Sequence, residues 1–212
     1  MSIETLRELV DERAQLWLLS VGQYHQLIAG GVLPEGEPYE LLQGHLVLKN
    51  RSATGEDPVT VGHEHAAVVR RLAKRIAQLQ PLSCFLQTQQ PITLPPFNEP
   101  EPDGAIVNGK EEDYDQRHPA ADDVLCVIEV ADASLHRDRT VKQQIYADSG
   151  LPQYIILNLP QRCAEVYTQP LAGNGRYGRL TTLSPDQELI LPAPGHRQIR
   201  VLIEDLMPGR SG

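Results

Sequence analysis

The sequence predicts an α/β (α+β) protein in which helices flank a mixed central β-sheet, with additional antiparallel hairpins. The main observation is the run VLCVIEV, residues 124–130, which is apolar and rich in β-branched residues, as in a strand covered on both faces. A helical pattern follows, and then a second apolar strand, QYIILN, at 153–158. Strand, helix and strand between 124 and 158 therefore form one crossover unit.

The first third of the chain predicts a helix and then a hairpin. Ser20 begins a capping box with Gln23, so we expect a helix over 21–29, which two glycines close. PYELLQGHLVLKN alternates around its central Gln-Gly and predicts a β-hairpin with strands at 38–42 and 45–49.

The segment HEHAAVVRRLAKRIAQL, residues 63–79, is the clearest amphipathic helix in the sequence. Its predicted inner stripe consists of Ala66, Val69, Leu72, Ala73, Ile76 and Leu79. Its other face carries the densest basic cluster of the chain, Arg70, Arg71, Lys74 and Arg75.

Further strands and one more helix fill the remaining sequence. CFLQTQQPITL at 84–94 and DGAIV at 103–107 predict two strands, and an acidic loop follows over 108–123. Asp138 is placed to cap a helix over about 139–149. AEVYTQ and the C-terminal tail predict short strands that extend the sheet in antiparallel fashion.

Length and charge limit the organisation and the function. With 212 residues we expect a helix or arm over 1–19, a single domain over 20–206 and a short tail over 207–212. The net charge of -9 argues against strong nonspecific binding to nucleic acid or to an anionic membrane. The sequence has no membrane-spanning apolar run and no signal-peptide pattern, and its three cysteines read as buried reduced thiols, so we expect a cytoplasmic location.

Three carboxylates stand out because of their position or their apolar neighbours. Glu129 lies inside the apolar run, where it is predicted to share a strand face with Leu125 and Val127. A buried carboxylate needs a metal, a cation or backbone donors to offset its desolvation, unless the strand end brings it to water. Asp103 follows a proline at a strand start and Glu40 lies within a strand; turn chemistry and an edge position are their structural alternatives.

Lys142 is the predicted partner of these acids. It follows the apolar Val141 near the start of the predicted helix, where the macrodipole favours anions, so a neighbouring carboxylate or phosphate would account for it. The alternative is a lysine that extends to solvent. Carboxylates at strand ends can hold Mg²⁺, with the Val130 carbonyl as a further ligand, and a nearby lysine can orient or help deprotonate water. This set predicts hydrolysis of a phosphodiester.

The same stretches resemble a restriction-endonuclease-like family of the PD-(D/E)XK nuclease superfamily, expanded in bacteria and long labelled as a domain of unknown function. The resemblance covers roughly residues 20–205. The matching stretches are YELLQG, HAAVVRRL, QQPITL…EPEPDGAIV and VLCVIEVADASLHRDRTVKQQIYADSGLPQYIIL. It implies a restriction-endonuclease-like core.

The resemblance implies a catalytic role for each member of the acidic set. Asp103 matches the PD aspartate and Glu129 matches the acid of the (D/E)XK element. The lysine of that element normally lies two residues later, where Ala131 stands, and Lys142 in the following helix matches it instead. Glu40 matches the N-terminal acid that assists metal binding.

Outside the acidic set, some positions support the resemblance and others depart from it. His65 and Gln89 match recurrent polar positions. Gly104 stands where a branched residue is usual, and Ile155 and Asn158 replace a tryptophan and an aspartate. These departures concern packing rather than the acidic centre.

The resemblance implies a Mg²⁺-dependent endonuclease, with Mn²⁺ as an alternative metal, that acts on DNA and can form a homodimer. Two other functions stay open on the sequence. One is a nuclease-fold protein that binds or regulates without cleaving, which the acidic net charge favours. The other is a phosphohydrolase for small nucleotides, for which a basic surface matters less.

Overall fold

The structure is a computed structural model, and it describes residues 17–34, 39–48, 62–74 and 76–209. Its strands are β1 (Tyr39–Leu42), β2 (His45–Leu48), β3 (Cys84–Gln87), β4 (Gly104–Asn108), β5 (Val124–Ala131), β6 (Gln153–Asn158), β7 (Cys163–Leu171), β8 (Arg176–Leu183), β9 (Glu188–Ala193) and β10 (Arg197–Leu202). Its α-helices are α1 (Val21–Ala29), α2 (His63–Ala73), α3 (Ile76–Leu79), α4 (Leu135–Arg137), α5 (Gln143–Asp148) and α6 (Ile203–Leu206).

Short helical turns complete the secondary structure. A π-helical turn, Asp138–Lys142, joins α4 to α5, and these three pieces together are called the 135–148 segment below. The 3₁₀ turns are Gln80–Leu82, Glu111–Tyr114 and Ala121–Asp123. Most of the predicted N-terminal arm and the last three residues lie outside the described part of the chain.

A six-stranded mixed sheet, ordered β3-β4-β5-β6-β7-β8, forms the centre of the fold. β5 and β6 pair in parallel through the predicted crossover, and the other neighbours pair antiparallel. β1 with β2 and β9 with β10 form separate hairpins. The predicted fold class is therefore confirmed. The tail extends the sheet only through β8, because β9 and β10 pair with each other and pack against one face.

The sheet separates two apolar layers. On one face β5 and β6 pack against α2, the β9–β10 hairpin and α6, with Val68, Leu72, Leu189 and Leu206 among the buried side chains. On the other face they pack against the 135–148 segment and the residues after β3, with Ile145, Tyr146, Ile92 and Leu94 buried. β5 is buried along nearly its whole length, as its continuous apolar run predicts.

Local signals predict several elements correctly. The Ser20 capping box is present, because Gln23 N–H donates to Ser20 Oγ at 3.2 Å and Ser20 N–H donates to Gln23 Oε1 at 2.9 Å. β6 spans the predicted residues, and β1 and β2 form the predicted hairpin. Cys84, Cys126 and Cys163 are free and buried. Within the described residues, none of the helices has the length and apolar character needed to cross a membrane.

Two element predictions are wrong in extent. The helix predicted over 63–79 ends at Ala73, and its most deeply buried side chains include Val68, which the predicted stripe omits. The spacing of apolar residues continues into α3, so the apolar periodicity of the sequence does not show where α2 ends. The strand predicted over 84–94 ends at Gln87, because Gln89 takes a φ of 52° and turns the chain out of the sheet.

Two predictions about the central crossover are also corrected. Leu125 packs on the opposite face from Val127, because the β4–β5 register shifts at a bulge and places one extra residue in β5. Asp138 does not cap a helix. The helical segment begins at Leu135, one turn earlier, so Asp138 lies inside it and Lys142 is no longer close to its N-terminus.

Candidate active site

Asp103 and Glu129 come together through the register of β4 and β5. Gly104 pairs with Ile128 in antiparallel fashion, and continuing that register by one residue sets Asp103 opposite Glu129. Side chains of directly opposed residues lie on the same face. Asp103 Oδ2 also accepts the Val130 N–H at 2.9 Å, which holds this carboxylate against the end of β5.

Lys142 reaches these carboxylates from the 135–148 segment. Its Nζ lies 2.8 Å from Glu129 Oε1 and 3.3 Å from Glu40 Oε2. Lys142 is 1% exposed and Glu40 0%, so the pairs are shielded from water. The predicted pairing of Lys142 with Glu129 is present in the structure, and it includes an acid 102 residues earlier in the chain.

The π-helical turn sets which side chains of the 135–148 segment face the sheet. The Gln143 N–H bonds back to the Asp138 carbonyl, five residues earlier, which defines the turn. Asp138, Lys142 and Tyr146 follow one another at intervals of four, and all three are buried. The Tyr146 hydroxyl donates to Glu129 Oε1 at 2.8 Å, so this oxygen accepts from both Lys142 and Tyr146.

The charge of Lys142 is fixed by its neighbours. Burial alone would lower the pKa of the Lys142 ammonium, but Glu129, Glu40 and Asp138 more than offset it and raise that pKa above its ordinary value. Lys142 is therefore a cation at neutral pH. It can donate hydrogen bonds and stabilise negative charge, and it is not available as a general base.

Asp103 is held in its charged form. Burial raises the pKa of this carboxyl, but the His65 contact, the Val130 N–H and Lys142 outweigh burial and leave the pKa below its ordinary value. His65, on α2, places Nε2 at 2.9 Å from Asp103 Oδ2. The structure thus places His65, which matches a recurrent polar position of the resembled family, in contact with Asp103.

Gln89 contacts the chain one residue before Asp103. Its backbone N–H donates to the Pro102 carbonyl at 3.2 Å, and the residue lines an adjacent groove. Glu40 Oε2, by contrast, accepts the Glu101 N–H at 3.4 Å in addition to its contact with Lys142.

Sequence reasoning missed Asp138 and Tyr146 as site residues. Asp138 Oδ2 accepts the Ser134 hydroxyl at 2.5 Å, while its buried Oδ1 has no hydrogen-bond partner among the described residues. Burial raises the pKa of Asp138, and Lys142 opposes that shift only in part. The available signal was the spacing of four residues from Asp138 to Lys142 and again to Tyr146, which places all three on one face of a helix.

The donor set suits Mg²⁺ in its chemistry. Magnesium is commonly bound by one or two carboxylates together with waters and substrate phosphates, and Asp103 and Glu129 supply two neighbouring carboxylates. The unpartnered Oδ1 of Asp138 is a further oxygen donor in the same polar cluster. Among the described residues, no three His, Cys, Asp or Glu side chains already form a complete set of metal ligands.

Comparison with known proteins identifies the family. The Uma2 family model, described as "Putative restriction endonuclease", matches residues 21–201. The chain belongs to this family. The Uma2 match begins at α1 and ends within β10. It therefore includes the whole group called the acidic cluster below, which consists of Glu40, Asp103, Glu129, Asp138 and Lys142.

A solved structure supports the fold of this Uma2 member. It is titled a putative nuclease belonging to DUF820 from Anabaena variabilis, and it shares 14% sequence identity with a TM-score of 0.61. The alignment covers 89% of this chain and 97% of that chain. At this identity the likeness concerns the fold. The search of curated proteins gives no significant match.

Proposed function

We propose that this protein is a Mg²⁺-dependent endonuclease that hydrolyses phosphodiester bonds in DNA. The observation that carries the proposal is the buried Lys142 ammonium, which bridges Glu129 and Glu40 beside Asp103. A buried cation among carboxylates at a strand end is costly for a purely structural role, because desolvation offsets much of the attraction. Membership of the Uma2 family supports the same reaction class.

Asp103 and Glu129 would hold the metal, with the Val130 carbonyl or Glu40 completing the set. Mg²⁺ bound there supplies Lewis-acid stabilisation of charge on the phosphoryl oxygens. Lys142 remains protonated and donates to the attacking water or to a phosphoryl oxygen. Glu40 keeps Lys142 in place, and His65 orients Asp103.

Cleavage of supercoiled plasmid DNA tests the proposal. Wild-type protein is expected to nick or linearise the plasmid with Mg²⁺ or Mn²⁺ and to lose this activity in EDTA. Glu129→Gln should lower the rate by at least about a hundredfold, since electrostatic groups at a reacting phosphate contribute on that order. Glu188→Gln, on the exposed part of β9, is the matched control and should cleave like wild type.

Folding must be measured alongside cleavage. Each variant should keep the wild-type circular dichroism spectrum and a cooperative thermal transition. A folded Glu129→Gln variant that cleaves at the wild-type rate would refute the assignment. A homodimer that cuts both strands belongs to the same proposal, and light scattering of the protein on duplex DNA measures it.

A nuclease-fold protein that binds without cleaving is the second candidate. Glu129 Oε1 already accepts from Lys142 and Tyr146, which favours a closed polar cluster over an open metal site. Calorimetric titration separates the two candidates. Mg²⁺ or Mn²⁺ binding that Asp103→Asn abolishes supports the nuclease, and the absence of binding by the wild-type protein supports the second candidate.

A further inference from the structure

A large groove lies beside the acidic cluster and has no part in the proposed hydrolysis. Its cavity volume is about 1230 Å³, above the roughly 300–1,000 Å³ of sites for single drug-sized ligands. Glu101 and Gln89 line it. The Glu101 N–H donates to Glu40, and the Gln89 N–H donates to the Pro102 carbonyl, one residue before Asp103. These two contacts place one end of the groove beside the acidic cluster.

Arg117 provides a held, partly exposed guanidinium in this groove. Its Cζ lies 4.8 Å from the centroid of the Tyr114 ring. Its two terminal nitrogens donate to the Asp123 carboxylate at 2.6 and 3.3 Å, yet its side chain is still 53% exposed. Phe85 packs against Tyr114 with ring centroids 5.6 Å apart, which fixes the ring below the guanidinium. Planar guanidinium groups stack on nucleobases.

The charges of the groove disfavour a phosphate as its main ligand. The Asp123 carboxylate neutralises the positive charge of Arg117, so the guanidinium offers a flat surface more than net positive charge. The lining also contains the exposed acidic side chain of Asp115. Phosphodiester groups would be repelled there, whereas an uncharged base would not.

The polar groups of the groove suit the edge of a base. Gln89 and Gln90 bring side-chain amides, which both donate and accept hydrogen bonds. His25 adds an imidazole that is 48% exposed and held in place, because its Nε2 lies 2.8 Å from the buried Glu99. Glu99 in turn accepts the Thr93 hydroxyl at 2.8 Å.

We propose that this groove binds an unpaired nucleobase of the strand being cut, stacked on the Arg117 guanidinium, while a phosphate of the same strand lies at the acidic cluster. The inference rests on the proposed function, since it names the substrate of that site as a nucleic acid with at least one unstacked base. A duplex must then open locally at the cut, and single-stranded or bulged substrates bind more tightly than a fully paired one.

Binding of short oligonucleotides in EDTA tests the groove without any cleavage. The probes are fluorescein-labelled single-stranded DNA and RNA decamers of one sequence, and a decamer of abasic sites with the same backbone. Wild-type protein should bind the base-containing strand about tenfold or more tightly than the abasic one, the order expected for loss of a stacked base. The DNA and RNA probes show which sugar the groove accepts.

Two arginine variants separate stacking from charge. Arg117→Lys keeps the charge but loses the planar group, and it should reduce the preference for bases to less than about twofold. Arg200→Lys is the matched control, since Arg200 is 57% exposed and paired with Glu188 at 3.0 Å away from the groove, and it should bind like wild type. Equal affinity of wild type for the two backbones, or wild-type base preference in Arg117→Lys, overturns the proposal.

The acidic cluster gives an independent control. Glu129→Gln should keep the base preference in EDTA even though it is expected to lose cleavage. If no variant and no wild-type protein cleaves DNA while the base preference persists, the proposed hydrolysis fails and the groove stands. If cleavage is metal-dependent while the base preference is absent, the groove fails and the proposed function stands.

Discussion

Replacing Lys142 by methionine is the most direct test of the buried ion cluster. Methionine is similar in length and apolar, so it fills the space without a large cavity, while Glu129 and Glu40 lose their shared cation. Removing one member of a buried ion pair costs about 3–5 kcal/mol, because the remaining charge stays buried without compensation. Two carboxylates lose the same cation here, so we expect a loss in the upper part of that range.

Such a loss is large against the total stability of a domain. Folded domains are stable by about 5–15 kcal/mol, so Lys142→Met should remove about a quarter or more of the free energy of unfolding. Urea denaturation at pH 7, followed by circular dichroism with wild-type and variant m-values compared, measures it. Lys74→Met, on the exposed end of α2, is the matched control and is expected within about 0.5 kcal/mol of wild type.

A double variant separates the lost ion pair from poor packing. Glu129→Gln with Lys142→Met removes one of the two stranded charges, so it should unfold at a higher urea concentration than Lys142→Met alone. The expected coupling lies between about 0.5 and 3 kcal/mol. The reasoning is refuted if Lys142→Met costs less than about 1 kcal/mol, or if the two single effects simply add.

Two further substitutions probe the same cluster. Tyr146→Phe removes a donor to the Glu129 carboxylate and should lower the free energy of unfolding by about 1.5–3 kcal/mol. Tyr177→Phe loses a bond to a neutral carbonyl and should lower it by about 0.5–1.5 kcal/mol. Equal losses in urea denaturation would contradict a charged acceptor at Tyr146. Asp138→Asn should stabilise the protein at pH 7. Because the pKa of Asp138 is raised in the folded protein, the wild type loses stability as the pH rises from the ordinary Asp pKa of about 3.9 through the folded pKa. The gain should shrink on acidification, and a gain that does not change with pH would exclude this cause.

The sequence predicts those parts of the site that depend on residues close together in the chain. Glu129 in an apolar strand demands a compensating group, and the crossover unit limits where that group can come from, so Lys142 follows from thirteen residues of local sequence. Glu40 joins it by an approach of the β1–β2 hairpin that no local pattern encodes. Its position among leucines in a predicted strand marks Glu40 as a candidate, and the family resemblance matches it to the N-terminal acid that assists metal binding.

The parts that the sequence does not predict depend on shifts of one residue. The bulge in β5 moves Leu125 to the other face, and the π turn changes which residues of the 135–148 segment face the sheet. Neither the bulge nor the π turn changes the pattern of apolar residues enough to be predicted from the sequence. An aspartate before a helical pattern is a common cap, so the sequence predicts that role for Asp138 although the helix begins one turn earlier.

The acidic net charge is compatible with a nucleic-acid substrate, because the basic side chains near the site are already paired with carboxylates. Arg117 pairs with Asp123, Arg139 with Glu165 and Lys142 with Glu129, so three basic side chains near the site are already neutralised. Among the described residues of the acidic cluster, the carboxylates outnumber the Lys142 ammonium, so the cluster suits cations before phosphates. At the acidic cluster, affinity for a phosphodiester must then depend on the bound metal, and the proposed groove adds affinity through contacts to bases that do not need the metal. Tight binding with Mg²⁺ and weak, base-dependent binding in EDTA is the pattern that this distribution of charge requires.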